Sequence, residues 1–205
     1  YTLTKNGVSY VTTVEGTNDE STFVVATNCP FSPFEYIDTD GLMYGIDIEI
    51  AQLYAQAHNL TLVVKNIDFD AIFTNVDSNY ADIGMAGITV SEERLALYDF
   101  TEAYYAASQK LVVLESETAF DACKTVEDVE AVLSALEGKK IGYQIGTTGN
   151  WYVAGDADWG FDGFAVTCTG YKNGSMAVQD MINGNISFVV IDEAPAKCIV
   201  REMNG

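Results

Sequence analysis

The chain is poor in basic groups. Ten Lys and Arg stand against 30 Asp and Glu in 205 residues, a formal net charge of −20 at pH 7. Phosphate backbones and anionic membrane surfaces both require clustered Lys and Arg, so neither is expected as a partner. Histidine occurs once, at His58, and Cys29, Cys123, Cys168 and Cys198 form no C-x-x-C pair. That leaves no donor set of zinc-site spacing, and no metal or cofactor is expected. Three of the four cysteines lie in the second half, so any disulfide is expected there, leaving Cys29 free. No apolar run nears the roughly 20 residues of a membrane-spanning helix, and no charged-then-apolar leader precedes Tyr1. A soluble chain, with any export signal already removed, is the expectation.

What is present is apolar mass. At 48% hydrophobic residues the chain can bury a sizeable core, as one large domain or as two lobes of roughly 100 residues each. Arginine is nearly as scarce as histidine: besides Arg201 there is Arg94, in the stretch Asp82 to Phe100. Ile83 to Gly87 there predicts a buried strand, and Ser91 an N-cap, with Glu92 and Glu93 placed as a helix N-terminus favours. Arg94 breaks that pattern, since a cation in a first turn opposes the macrodipole by ~0.3–1 kcal/mol. A bound carboxylate would gain from its guanidinium fork. Pairing with one of the many acidic neighbours is the plainer reading, and the scarcity of arginine tips the balance toward a ligand.

Around that stretch the chain alternates strand and helix. Residues 1–14 read as a hairpin about Asn6-Gly7, and 16–21 as a polar linker. Thr22 to Thr27 is a β-branched strand running into Asn28-Cys29-Pro30-Phe31-Ser32-Pro33-Phe34-Glu35, a loop at the strand end where open α/β sheets place ligand contacts. Phe31 and Phe34 offer either an aromatic wall or core plugs. Gly45 to Leu60 predicts a helix with Ile46, Ile50, Leu53, Tyr54 and Ala57 as its apolar face, and His58 near its end as a structural residue. A strand at Leu60 to Val64 and a short helix at Phe69 to Val76 complete a βαβαβ pattern, which implies a mostly parallel sheet. Phe69 is a second candidate ring.

Beyond Tyr104 and Tyr105, Gln109 to Leu114 reads as a strand crossing into a second lobe. Thr125 and Asp128 form a capping box for a helix carrying Val126, Val129, Val132, Leu133 and Leu136, stopped by Gly138. Lys140 to Gln144 is a strand, and Gly146-Thr147-Thr148-Gly149-Asn150 opens the next helix. That loop is no P-loop, because the Gly-Lys-Ser/Thr ending is missing. Phe164 to Cys168 is a strand, Ser175 to Asn183 a helix, and Ile186 to Ile191 a strand ending in Asp192, whose carboxylate would lie at the sheet's crevice. Pro195 suits the start of a helix running to about Met203. One lone Arg and one Asp at strand ends would suit the two charges of a zwitterion.

Gly45-Ile-Asp-Ile-Glu-Ile-Ala51, Ala86-Gly-Ile-Thr-Val-Ser-Glu-Glu-Arg94, Asp99-Phe100 and Tyr104-Tyr105 resemble the amino-acid-binding members of bacterial extracellular solute-binding protein family 3. The resemblance spans residues 22–200. It implies an α/β fold of the type II periplasmic-binding-protein kind, with two lobes of mostly parallel sheet flanked by helices and a ligand cleft between them. Lobe 1 is expected at 1–107, with an extension at 1–21, and lobe 2 at 108–205. By resemblance Arg94 grips a ligand α-carboxylate with help from Gly87, Thr89, Thr147 and Thr148, and Asp192 takes the α-amino group. Phe31 and Phe69 would sandwich the ligand, with Gln144 and Asn28 also at the site. Many members carry an aspartate at Asn28, so the amide favours neutral polar ligands over lysine or arginine.

The implied function is extracytoplasmic capture of a free amino acid, in the periplasm or lipid-anchored at the cell surface, for delivery to a membrane ABC permease. No catalysis is implied. Two other readings are the ligand sensor of a receptor and, behind it, an enzyme like the cyclohexadienyl dehydratases with Glu35 or Glu193 as general acid. Family chains cross back to finish the first lobe, and this one stops at Gly205. Lobe 1 is therefore expected to be incomplete, or completed by residues 1–21 or by another chain.

Overall fold

The computed structural model describes residues 2–5, 8–11, 19–39 and 41–205. They fall into two compact units, 1–88 and 89–205. In the first, β1 (Thr2–Lys5) and β2 (Val8–Val11) pair antiparallel with Lys5 opposite Val8. That is the expected hairpin; Asn6 and Gly7, like Asp40 and residues 12–18, which include half of the linker 16–21, lie outside the described residues. β3 (Thr22–Thr27) is the centre of a parallel three-stranded sheet, flanked by β6 (Thr61–Asn66) and β7 (Ile83–Gly84). Between β3 and β6 run the short antiparallel pair β4 (Tyr36–Ile37) and β5 (Met43–Tyr44), then α1 (Ile46–Ala57); α2 (Ala71–Asp77) joins β6 to β7.

The uninterrupted apolar run of β3 reflects burial on both faces. Phe23 and Val25 pack with Ile48, Ala51 and Ala55 of α1, whereas Val24 and Ala26 pack with Phe69 and Ile72 at α2. Two expectations are corrected here. α1 buries Asp47, Ile48, Ala51, Gln52 and Ala55, not the stripe Ile46, Ile50, Leu53, Tyr54 and Ala57; Leu53 is 67% exposed. Alanines at 51 and 55 let the helix approach the sheet more closely than Leu53 and Tyr54 would. β7 ends at Gly84 and not Gly87, because the Gly87 N–H turns away from the ladder to the Asp47 carboxylate.

The second unit holds α3 (Glu92–Leu95), β8 (Gln109–Val112), α4 (Val126–Ala135), β9 (Lys140–Gln144), α5 (Thr148–Ala154), β10 (Thr167–Tyr171), α6 (Gly174–Ile182), β11 (Phe188–Asp192) and α7 (Glu193–Asn204). Its sheet has the order β10-β9-β11-β8, parallel except for β8, which runs against β11. Ile141, Phe188 and Val190 meet Leu133 and Val153 in its core, with Phe120 edge-on to Phe188 at 5.3 Å. The capping box of α4 forms as expected: the Asp128 N–H donates to Thr125 Oγ1 at 3.2 Å and the Thr125 N–H to Asp128 Oδ2 at 3.1 Å.

The units divide after Ile88 and not near Ser108, so Arg94 does not belong to the first unit opposite Asp192. Both lie in the second. The reason is where Arg94 makes its bonds, to Thr89 and Gly146.

Candidate functional site

Ser91 caps α3 by accepting the Arg94 N–H at 3.1 Å, and the helix is a single turn. What α3 contributes is the side chain of Arg94, 8% exposed. Its Nη1 donates to the Thr89 carbonyl at 2.8 Å and its Nη2 to the Gly146 carbonyl at 3.1 Å. The guanidinium carbon lies 4.8 Å from the centre of the Trp151 ring. Burial lowers its pKa to about 10, against the opposing pull of Glu93, so it is still charged at neutral pH.

The loop from β9 to α5 gathers around it. Thr148 Oγ1 bonds Thr89 Oγ1 at 3.2 Å, Thr147 Oγ1 donates to the Gln144 carbonyl at 2.8 Å, and Asn150 Oδ1 accepts the Gly146 N–H at 3.1 Å. Gln144 is buried at the end of β9. Thr89, Arg94, Gln144, Thr147 and Thr148 are therefore brought together within one unit.

Asp192 stands at the N-cap position of α7 without capping it by its side chain. Its carboxylate instead accepts from the Gln109 amide. Gln109 is its antiparallel register partner on β8, so sheet pairing sets the contact. Burial raises the Asp192 pKa, and the Gln109 hydrogen bond opposes that rise. A Cβ on Gly149 would fall 3.0 Å from Gln109 Oε1, which ties the start of α5 to the Gln109–Asp192 pair.

The other predicted residues lie in the first unit. Asn28 donates its amide to the Ile67 carbonyl at 2.7 Å. Phe31 stacks on Phe34 with centroids 5.9 Å apart, and Gly87 lies against Phe31, where a Cβ would meet the ring at 3.0 Å. Gly87 has φ +56° and gives its N–H to Asp47 Oδ2 at 3.0 Å. Phe69 packs into the core with Ile72 and Ala86. Beneath this loop Glu35 and Asp47 are both 0% exposed. Burial first, then the neighbouring Asp47 charge, pushes the Glu35 carboxyl well above the ordinary range.

Sequence reasoning missed Gln109, Trp151 and Trp159. Gln109 could have been found by pairing β8 against β11; the tryptophans carried no spacing signal. Among the described residues no cluster of His, Cys, Asp and Glu could hold a metal, and the four cysteines are free thiols.

Two α/β units built on largely parallel sheets, one of them carrying a buried arginine on α3 and an aspartate at the end of β11, make up the type II periplasmic-binding-protein fold. Residues 23–194 match the family model for bacterial extracellular solute-binding proteins, family 3, and the chain belongs to that family. It is 26% identical over 177 residues to a probable histidine-binding protein of Neisseria gonorrhoeae, covering 86% of this chain and 61% of that protein. The structure resembles that of an ancestral arginine-binding protein bound to arginine, with TM-score 0.76, 32% identity, and 89% and 75% of the two chains covered. An ancestral arginine-binding protein bound to glutamine gives TM-score 0.75 at 31% identity, with 90% and 75% covered. The chain thus spans about three fifths of the length of the curated relative.

Proposed function

We propose that this protein binds a free amino acid through its α-carboxylate and α-ammonium groups, outside the cytoplasm, and passes it to a membrane ABC permease. The observation that carries the reading is one unit holding a buried arginine and a half-buried aspartate, each hydrogen-bonded to neutral groups. Arg94 donates to two backbone carbonyls and Asp192 accepts from the Gln109 amide, a pair of opposite sign that suits a zwitterion. The threonine hydroxyls beside Arg94 add donors for a carboxylate. Among the described residues no helix is long and apolar enough to cross a membrane, which accords with a protein free in the periplasm or held at the surface by lipid.

The roles of Asn28, Phe31, Phe69 and Gly87 as ligand contacts are part of the same proposal. Asn28 is neutral where a cationic ligand side chain would gain from a carboxylate, so the favoured ligands are neutral and polar. The relatives and structural neighbours with printed ligands bind amino acids, and no step here calls for a general acid. Calorimetry against the twenty L-amino acids and L-cystine tests the reading. Micromolar or tighter binding of at least one is expected, lost when its carboxylate is converted to the α-amide. Equal affinity for the amide, or no binding across the panel, would overturn it.

A further inference from the structure

The contacts that hold Arg94 fix where its guanidinium lies. Nη1 and Nη2 donate to the Thr89 and Gly146 carbonyls, which pins two edges of the group. Its Cζ lies over the Trp151 ring, 4.8 Å from the centroid, and 6.0 Å from that of Trp159. An indole attracts a cation through its quadrupole. Trp151 is in turn stacked on Trp159, centroids 4.3 Å apart and planes 29° from parallel.

Trp159 is delivered by a loop built for the purpose. Asp156 and Phe161 exchange backbone hydrogen bonds at 2.9 Å each, closing residues 156–161 into a tight turn. Asp156 Oδ1 accepts the N–H groups of Asp158 and Trp159 within it. Phe161 and Trp159 stack at 6.5 Å, and Phe161 also meets Tyr152 edge-on at 5.4 Å. Trp159 Nε1 is buried and meets no acceptor among the described residues, so stacking, and not a hydrogen bond, sets where the ring lies.

We propose that Trp151, braced by Trp159 from the 156–161 turn, is a positioning residue that holds the Arg94 guanidinium in place for the ligand carboxylate. This rests on the amino-acid-binding reading above. It adds a residue pair that the carboxylate clamp needs although neither ring is asked to touch the ligand's charged groups.

The sequence makes the test unusually clean, because the chain has two arginines and two tryptophans. In the ¹H–¹⁵N spectrum of the unliganded protein there are two arginine Nε–Hε signals, assigned by Arg201→Lys. The Arg94 signal should be displaced by the indole ring current, and should move toward that of Arg201 in Trp151→Leu but little in Trp151→Phe. Finding the two signals together in the parent protein would overturn the stacking before any variant is made. The second arm uses the panel amino acid that the parent binds best. Trp151→Leu should weaken it about tenfold, a cation–π loss in a desolvated site, while Trp151→Phe stays within about threefold. Trp159→Leu should fall between them. Parent-like affinity in Trp151→Leu would remove the positioning role. If the parent binds nothing in the panel, the amino-acid reading fails while the spectrum still decides whether Arg94 is stacked.

Discussion

Arg94 donates to two backbone carbonyls and lies over an indole ring, and its substitutions should reflect that. Arg94→Lys keeps the charge but cannot bond both Thr89 and Gly146 in one plane, so amino-acid affinity should drop substantially. Arg94→Ala should cost roughly 3–5 kcal/mol of binding, because a ligand carboxylate would be buried without its partner. Asp192→Asn should cost a comparable amount at the ammonium end. If both residues hold one ligand, as proposed, the double variant should lose less than the sum of the two, because freeing either end already weakens the other. Calorimetry on the four proteins checks this. An Arg94→Lys protein indistinguishable from the parent would show that the planar fork is irrelevant.

At the scale of elements, what could be read from the sequence was what local chemistry dictates. Thr125 and Asp128 specify their own cap, and Thr125→Ala should lower stability by about 1 kcal/mol with ligand affinity unchanged. Gly45 was visible as part of a family motif, and its reason is steric: φ is +126° and a Cβ would lie 2.1 Å from the Phe34 carbonyl oxygen. That carbonyl accepts the Asp47 N–H at 3.0 Å, so the loop bearing Phe31 is docked on the start of α1. Gly45→Ala must push this backbone apart, and thermal unfolding should show a loss well above that of Thr125→Ala. Equal losses would mean the loop yields freely. What could not be read depends on distant partners. Ile46, Ile48 and Ile50 give α1 two apolar stripes, and the sheet's need for small Ala51 and Ala55 chose between them. The expected strand Phe164 to Cys168 lies three residues later, at Thr167–Tyr171, because the Phe164 N–H goes to the Val153 carbonyl and its ring fills the core without joining the ladder. Gln109 and the tryptophans reach Asp192 and Arg94 through sheet register and a loop turn, neither of which leaves a local pattern.

For the whole molecule, the carboxyl groups set a stability that should fall away on both sides of a mildly acidic optimum. Glu193 is held down to about 2 by Lys197 and then Ser108, below its ordinary 4.5. A lowered carboxyl stabilises above its unfolded pKa, so this contribution fades as pH drops from about 4.5 toward 2. Glu35 acts in the opposite direction. Its folded pKa is raised, first by burial and then by Asp47, so the folded state holds a proton that the unfolded chain gives up above 4.5. The unfolded state then binds fewer protons, and stability declines as pH climbs from 4.5 through the folded pKa. The net charge of −20 adds self-repulsion at neutral pH that salt screens, whereas the Glu35–Asp47 pair is shielded from salt by burial. Thermal melts from pH 4.5 to 9 in high salt should therefore still slope downward for the parent and run flatter for Glu35→Gln, which keeps the shape of a protonated carboxyl without the titration. Because Asp47 also holds the Gly87 N–H, the same pH rise should loosen the loop at Gly87 before global unfolding, seen as faster amide exchange there in the parent than in Glu35→Gln. Parallel melting curves for the two proteins would show that Glu35 does not carry the proton its burial demands.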